Sequence, residues 1–490
     1  MARVRTASVA TCLALCLAVP VGVTAPSAGT TDVVAGPAGE LAGAPATQWD
    51  RALSTPQEDS YYPDKGDPTV DALRYHLALD WRRRARVLTG RATIVLRTTR
   101  ADAVMRLDLS HRMRVRTVWV DRRRVPFARA GNHLLVQRPV GADERHRVEV
   151  AYGGTPRPAR GPASRPDIAR TGMRVTRDGR LWTMQEPFGG FTWFPVNDHP
   201  SDKAFYSLRV TTPSDFVAVS NGALRSRRTT QGRTTVRWVN RDPMPSYLLT
   251  LAVGPYRSYR QSGPHGIPVR HWVPRDRPEL VQPLLRTPEA LRWLERRLGP
   301  YPFDRAGVVV TPGGSAMETQ TLVTFGAQTY GYGRFEVRAI LVHELAHQWW
   351  GDAVTPSDWV DLWMNEGMAT YLESRWRDDH SDAGSQDWDR TVRLWARVDQ
   401  DLRDSYGPPG SYDRGEFASV NVYWSTALMW ERLHRRLGDQ TFSRLVRRWP
   451  QTHLYRSSGR DELVAWWSAR AGEDLGPFFD RWLDSPQSPA

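Results

Sequence analysis

Two histidines four residues apart, His343 and His347, flank Glu344 in the run HELAH. On a helix that spacing stacks both imidazoles on one face, one turn apart. Neutral imidazole is a good zinc ligand, and two ligands on one rigid turn lose little entropy on binding. Glu344 is rotated off the ligand face and can take a proton from a water activated at the metal. A catalytic zinc needs three protein ligands and one open position. Eighteen residues, 348–365, separate His347 from Glu366 in WMNEGMATYLE. Leu362, Met364, Met368, Tyr371 and Leu372 give that segment an apolar helical face. A polar turn at Thr355-Pro356-Ser357-Asp358 would let a second helix fold back and set Glu366 beside the histidines. The alternative is a buried helix whose histidines merely pack, and NEG at this offset argues against it.

Three further stretches carry chemistry-bearing residues. Glu318 lies in GGSAMETQT, 25 residues before His343, on what reads as a strand edge. Glu186 lies in QEPFGGFTWFPVNDHPSDKA, residues 185–204. Carboxylates brought near a zinc from separate segments could hold a cationic group, although spacing alone favours a solvated carboxylate at each. Tyr423 stands at a helix start, where a phenol could donate to a developing oxyanion. With 16 tyrosines in the chain, position alone does not select it.

The elements that must position these residues follow from pattern. At 490 residues and 40% apolar, with 21 Trp, the chain can build two or three domains with sizeable cores. From Tyr75 the texture is β: Tyr75, Leu77 and Leu79 alternate with His76, Ala78 and Asp80. RATIVLRTT, AVMRLDLS, RVRTVWVD, HLLVQRP, RHRVEVAYGG, YSLRVTTP and TTVRWVN continue it, separated by turn residues. The WRRRAR run, 81–86, reads as a solvated hairpin and His76 as a strand residue. Residues 154–166 form a Pro/Arg/Gly-rich loop. Helical spacing begins at Pro278 and stops at Gly299. AGVVV, 306–310, reads as a buried strand. Helices dominate from Trp388 to Asp484, and His434 within them reads as a surface residue.

The amino terminus reads as a secretory leader. Arg3 and Arg5 precede a largely apolar run, Val9 to Val23; Val23-Thr24-Ala25 offers a small-residue cleavage site, and a second cut could follow Ala28. That run is too short, and too broken by Pro20 and Gly22, to make a stable membrane span. Both cysteines, Cys12 and Cys16, fall inside it, so a processed chain has no disulfide. A secreted or extracytoplasmic location fits. The net charge is +14, yet Lys65 and Lys203 are the only lysines. The arginines are scattered, without an aromatic-interleaved basic stripe, so nucleic acid is not an expected partner. The expected division is a leader at 1–25, a flexible linker at 26–60, a β domain at 61–256 and a catalytic domain at 257–490.

Taken together the segments resemble the M1 family of zinc aminopeptidases. HELAHQWWG with WMNEGMATYLE matches that family's zinc signature. SAMETQT is similar to its GAMEN segment, and EPFGGFTWFPVNDHPSDKA to its EP…FPC segment. Tyr423, 14 residues before Leu437-Gly438, stands at the offset of the family's catalytic tyrosine, and Tyr412 does not. The resemblance implies an α+β multidomain fold: an N-terminal antiparallel β saddle-like domain, then a thermolysin-like, mainly helical zinc catalytic domain. It implies the short form without the C-terminal helical domain. It also implies one zinc per chain on His343, His347 and Glu366, with Glu344 as general base and Tyr423 as oxyanion donor. Glu318, helped by Glu186, would bind the free α-amine of a peptide substrate, with Ala316 and Met317 beside it. Four departures bear on that amine site and on side-chain preference: Ser315 for the first Gly of GAMEN, Thr319 for its Asn, Met184 where many members have Gln, and Thr426 for a Gly.

Overall fold

Strand Val70–Arg82 alternates buried and half-exposed residues along its second half, as a strand with one wet face must. It is central in an eight-stranded sheet. The order is Ala223–Thr230, Arg233–Val239, Phe205–Pro213, Val70–Arg82, Val87–Thr98, Arg145–Gly154, Met113–Val120, Arg123–Val125. These assignments come from a computed structural model that describes residues 50–381 and 388–490. The expected leader and residues 26–49 of the expected linker lie outside the described residues.

The sheet is not wholly antiparallel. Val70–Arg82 and Phe205–Pro213 pair in parallel, with Tyr75 opposite Tyr206 and their rings stacked at 4.9 Å. A parallel pair needs a long crossover, and here the intervening chain builds much of the domain. Within the WRRRAR stretch, residues 83–86 form the turn between Val70–Arg82 and Val87–Thr98, while Trp81 is a fully buried residue near the end of its strand, not part of a solvated hairpin. His76 is a strand residue held to Ser207 at 2.8 Å. A smaller sheet (Val217–Ser220, Leu251–Gly254, Leu181–Met184, Arg170–Val175, Ala159–Arg160) carries the strand that leads into Glu186.

At Pro255 the chain passes into a third sheet, ordered Tyr256–Ser262, Pro268–Pro274, Ala306–Thr311, Val323–Gly326, Ala316–Met317. Its two-residue edge strand, Ala316–Met317, pairs antiparallel with Phe325 and Thr324 and delivers Glu318. The helices are α1 (Thr287–Leu298), α2 (Arg334–Ala346), α3 (Trp363–His380), α4 (Trp388–Tyr406), α5 (Val420–Thr452), α6 (Arg460–Ala471) and α7 (Gly476–Asp484). Helical spacing from Pro278 resolves into two 3-10 turns before α1, each opened by a proline that has no N–H to give. Helix α5 breaks at Gly438, where φ is 74°. Beneath α2 and α3 the rings of Trp350, Trp430 and Trp467 pack at 5.7 and 5.2 Å, anchoring the helices in one core.

Three further local expectations are corrected. Residues 50–60 do not hang free as a linker. Ala52 packs on Leu73 and Phe205, and the buried Asp59 carboxylate accepts the N–H groups of Tyr61, Tyr62 and Trp359. The segment therefore straps the β domain to the helical one. The first half of the supposed polar turn, Thr355-Pro356, is buried in a short strand, Val354–Pro356, paired with Arg456–Ser458, while Ser357 and Asp358 are half-exposed. His434 is half-buried, bonded to the Tyr371 hydroxyl and stacked on Phe442 at 4.5 Å. No helix among the described residues is long and apolar enough to cross a membrane.

Candidate metal and catalytic centre

Helix α2 is apolar on several faces (Val337, Ala339, Leu341, Val342, Leu345, Ala346), as a helix inside a core must be. His347 follows its last residue and keeps helical geometry, its N–H reaching the His343 carbonyl at 3.3 Å. The one-turn stacking of the two imidazoles is thereby preserved. Helix α3 starts after a turn capped by Asp358, whose side chain accepts the Val360 N–H at 3.1 Å. Glu366 falls in the first turn of α3. Its Oε2 stands 3.1 Å from His343 Nε2 and 3.4 Å from His347 Nε2, and the two Nε2 atoms are 3.1 Å apart. The three side chains form a group that could hold a metal ion, with ligand atoms all within 4.8 Å of one another.

The surroundings fit a zinc. His347 Nδ1 is 3.1 Å from the Trp350 carbonyl, so that nitrogen carries the proton and Nε2 presents its lone pair. His343 Nδ1 stands 3.2 Å from Glu373 Oε2. Glu373 is held by Arg377, which also bonds Glu336. Two imidazoles protonated on Nδ1 cannot satisfy each other through facing Nε2 atoms, whereas one cation satisfies both along with the Glu366 carboxylate.

Further carboxylates converge on the group. Glu344 and Glu318 are buried. Burial pushes the Glu344 carboxyl up to about 8, against the pull of His343 and His347. Burial likewise raises Glu318, against His347. Burial raises Glu186, and Glu318, Glu366 and Glu344 push it further. One buried oxygen of Glu318 and one of Glu186 have no hydrogen-bond partner in the protein. Unpaired buried carboxylate oxygens are costly unless a cationic group completes them.

Tyr423 lies in the first turn of α5 and stacks on His343, rings 6.1 Å apart and inclined by 26°. The approach of α5 to α3 explains this. A β-carbon on Gly367 would collide with Thr426 Oγ1, so only glycine allows the helices so close. Tyr412, the other tyrosine near this offset, donates its hydroxyl to the Trp359 carbonyl.

A family model described as Peptidase M1 N-terminal domain matches residues 71–248, and one described as Peptidase family M1 domain matches residues 284–482. Aminopeptidase M1 of Arabidopsis thaliana is 24% identical over 61% of this chain and 36% of its own length. Aminopeptidase N of Canis lupus familiaris is 32% identical over 37% of this chain and 20% of its own length. The chain thus spans about a third or less of these two relatives. The crystal structure of a mutant M1 zinc metallopeptidase from Deinococcus radiodurans, bound to a Tyr-Ser-Ala substrate, superposes with a TM-score of 0.79. It is 28% identical, over 88% of this chain and 98% of that one. The chain belongs to peptidase family M1.

Every site residue named from the sequence has a definite place in this M1 chain. His343, His347 and Glu366 form the metal group, Glu344 and Glu318 are buried beside it, and Tyr423 stacks on it. Glu186 is electrostatically coupled to Glu318, and Ala316 and Met317 form the sheet edge. The departures from the M1 pattern also find partners. The Thr319 hydroxyl turns inward to the Leu322 carbonyl and Thr324. Thr426 bonds back to the Val422 carbonyl, and Met184 is buried in its strand. Ser315, just before the edge strand, is half-buried.

Three supporting residues escape sequence reading. Gln348 donates to the Glu318 carbonyl at 2.8 Å and accepts the Thr321 N–H at 2.8 Å. Glu373 steadies His343, and its only local signal is the seven-residue spacing from Glu366 along one helical face. Arg165 reaches the Tyr423 ring from a loop of the β domain.

Proposed function

We propose that this M1 chain is a zinc-dependent aminopeptidase that hydrolyses the first peptide bond of substrates with a free amino terminus. Family membership and the histidine–histidine–glutamate group support the metal chemistry. The observation that carries the exopeptidase reading is the pair of unpartnered buried oxygens on Glu318 and Glu186. Two carboxylates next to a metal group compensate one ammonium, and a peptide offers that ammonium only at its start.

Held by His343, His347 and Glu366, zinc would supply Lewis acidity, lowering the pKa of the attacking water and polarising the first peptide carbonyl. Glu344 takes a proton from that water as its oxygen attacks the carbonyl carbon. Burial strengthens it as a base for that step, and it then passes the proton to the departing amine nitrogen as the C–N bond breaks. The Tyr423 phenol donates a hydrogen bond to the carbonyl oxygen as negative charge develops there. Glu318 and Glu186 anchor the α-ammonium. Ala316–Met317 offers an unpaired sheet edge along which an extended peptide backbone can lie. Export is part of this proposal and rests on the leader-like residues 1–25, so the mature amino terminus of the exported protein should lie beyond them.

The test is hydrolysis of aminoacyl-coumarins and of matched peptides with free and acetylated amino termini. The reading expects cleavage of the free forms alone, a Glu344→Gln variant that keeps its zinc but loses roughly 10²–10⁴-fold in kcat, and a Glu318→Ala variant with a raised KM. Internal cleavage of blocked peptides at a comparable rate would instead mark an endopeptidase.

A further inference from the structure

Residues 162–167, from the loop between strands of the β domain, lie against residues 413–419, the turn that opens α5. The Pro162 carbonyl accepts the Phe417 N–H at 2.7 Å. The Ser164 hydroxyl and N–H both donate to Glu416 Oε2. Arg165 donates to the Ala418 carbonyl at 2.9 Å and to Asp167 at 2.8 Å. Its guanidinium carbon stands 6.0 Å from the centre of the Tyr423 ring.

Ala418 has φ 55°, a left-handed conformation that an alanine adopts only when its surroundings impose it. Two residues later α5 begins, and Tyr423 sits in its first turn. Arg165 thus holds the peptide group that sets where the helix starts. The side chain of Arg165 is 40% exposed, and that of its partner Asp167 is 27% exposed. An ion pair so open to water contributes little to stability, so the Asp167 pair alone does not account for the arrangement.

We infer that Arg165, contributed by the β domain, is a positioning residue for Tyr423: its bond to the Ala418 carbonyl and its guanidinium against the ring fix the phenol beside the metal group. The inference rests on the reading of Tyr423 as the oxyanion donor. A phenol held in place keeps its hydrogen bond aimed at the developing oxyanion, while a phenol free to swing loses it. Arg165 also acts electrostatically on Glu186, so the test separates an effect on kcat from one on KM.

The experiment is a double-mutant cycle on Arg165→Gln and Tyr423→Phe, with Arg165→Lys alongside, each assayed for kcat, KM, zinc content, melting temperature and affinity for a phosphinic pseudodipeptide that mimics the tetrahedral state. Arg165→Gln should lower kcat roughly ten- to a hundredfold with KM within about twofold of wild type. It should weaken the phosphinic compound by a similar factor, with zinc content and melting temperature unchanged. Arg165→Lys should recover part of the loss, and Arg165→Gln should lose nothing further in the Tyr423→Phe background. Equal, additive losses in both backgrounds, or a change confined to KM or melting temperature, would overturn the inference alone. A Tyr423→Phe enzyme with full kcat would overturn the oxyanion role as well.

Discussion

Gly367 packs so closely on Thr426 that a β-carbon on the glycine would collide with the threonine hydroxyl. Gly367 follows the metal-group residue Glu366, and Thr426 lies one turn beyond Tyr423. The contact therefore sets how far the phenol stands from the imidazoles. Alanine would favour α3 by about 1 kcal/mol in helix propensity, but overpacking costs roughly 1–3 kcal/mol and wins. Gly367→Ala should lower both melting temperature and kcat by pushing α5 outward. Adding Thr426→Gly should restore kcat. If the double variant is no faster than Gly367→Ala alone, the spacing argument is wrong.

Gln348 couples the metal helix to the segment bearing Glu318. Gln348→Leu would orphan the Thr321 N–H and the Glu318 carbonyl, both buried, at about 1–3 kcal/mol each. His347 keeps its separate bond to Trp350, so zinc should stay. The expected phenotype is a raised KM for free-amine peptides and weaker discrimination against acetylated ones, read from paired kinetics. Unchanged discrimination would show that Glu318 is held independently.

The metal ligands are legible in the sequence because their geometry is local. A four-residue spacing on one helix and a first-turn glutamate on the next need only the helices to form. Glu318 and Tyr423 are legible only through likeness to M1, since a lone carboxylate or phenol carries no periodicity. Partners far along the chain hide the rest. The Ala418 carbonyl that Arg165 holds is 253 residues away, and the Trp359 N–H on Asp59 is 300 away. Polar, proline-containing residues 50–60 read as a tether until those partners are known. The parallel pairing of Val70–Arg82 with Phe205–Pro213 is hidden likewise, because alternation reports a strand's face and not its neighbour.

Acid stability should depend on His271, which is fully buried in strand Pro268–Pro274. Burial lowers its pKa to about 3, its Nε2 lies 3.1 Å from the Gln261 side chain, and its Nδ1 has no partner. The folded pKa lies below the unfolded value of about 6.5. The neutral ring is therefore tolerated above pH 6.5. Between 6.5 and 3 the unfolded chain binds the extra proton, so this group withdraws roughly 1.4 kcal/mol of stability per pH unit. Melting curves from pH 8 to 4 should show His271→Gln flattening the acid limb. An acid limb identical to that of wild type would exclude this histidine as a source.

The metal-to-protein ratio of the purified chain, measured for wild type and for Glu366→Ala, bears most directly on the whole reading. It should be one zinc per wild-type chain, with aminoacyl-coumarin hydrolysis lost on chelation and regained on zinc addition, and well under one zinc in the variant. A wild-type chain that binds no zinc, or a Glu366→Ala chain that binds it as tightly as wild type, would contradict the account.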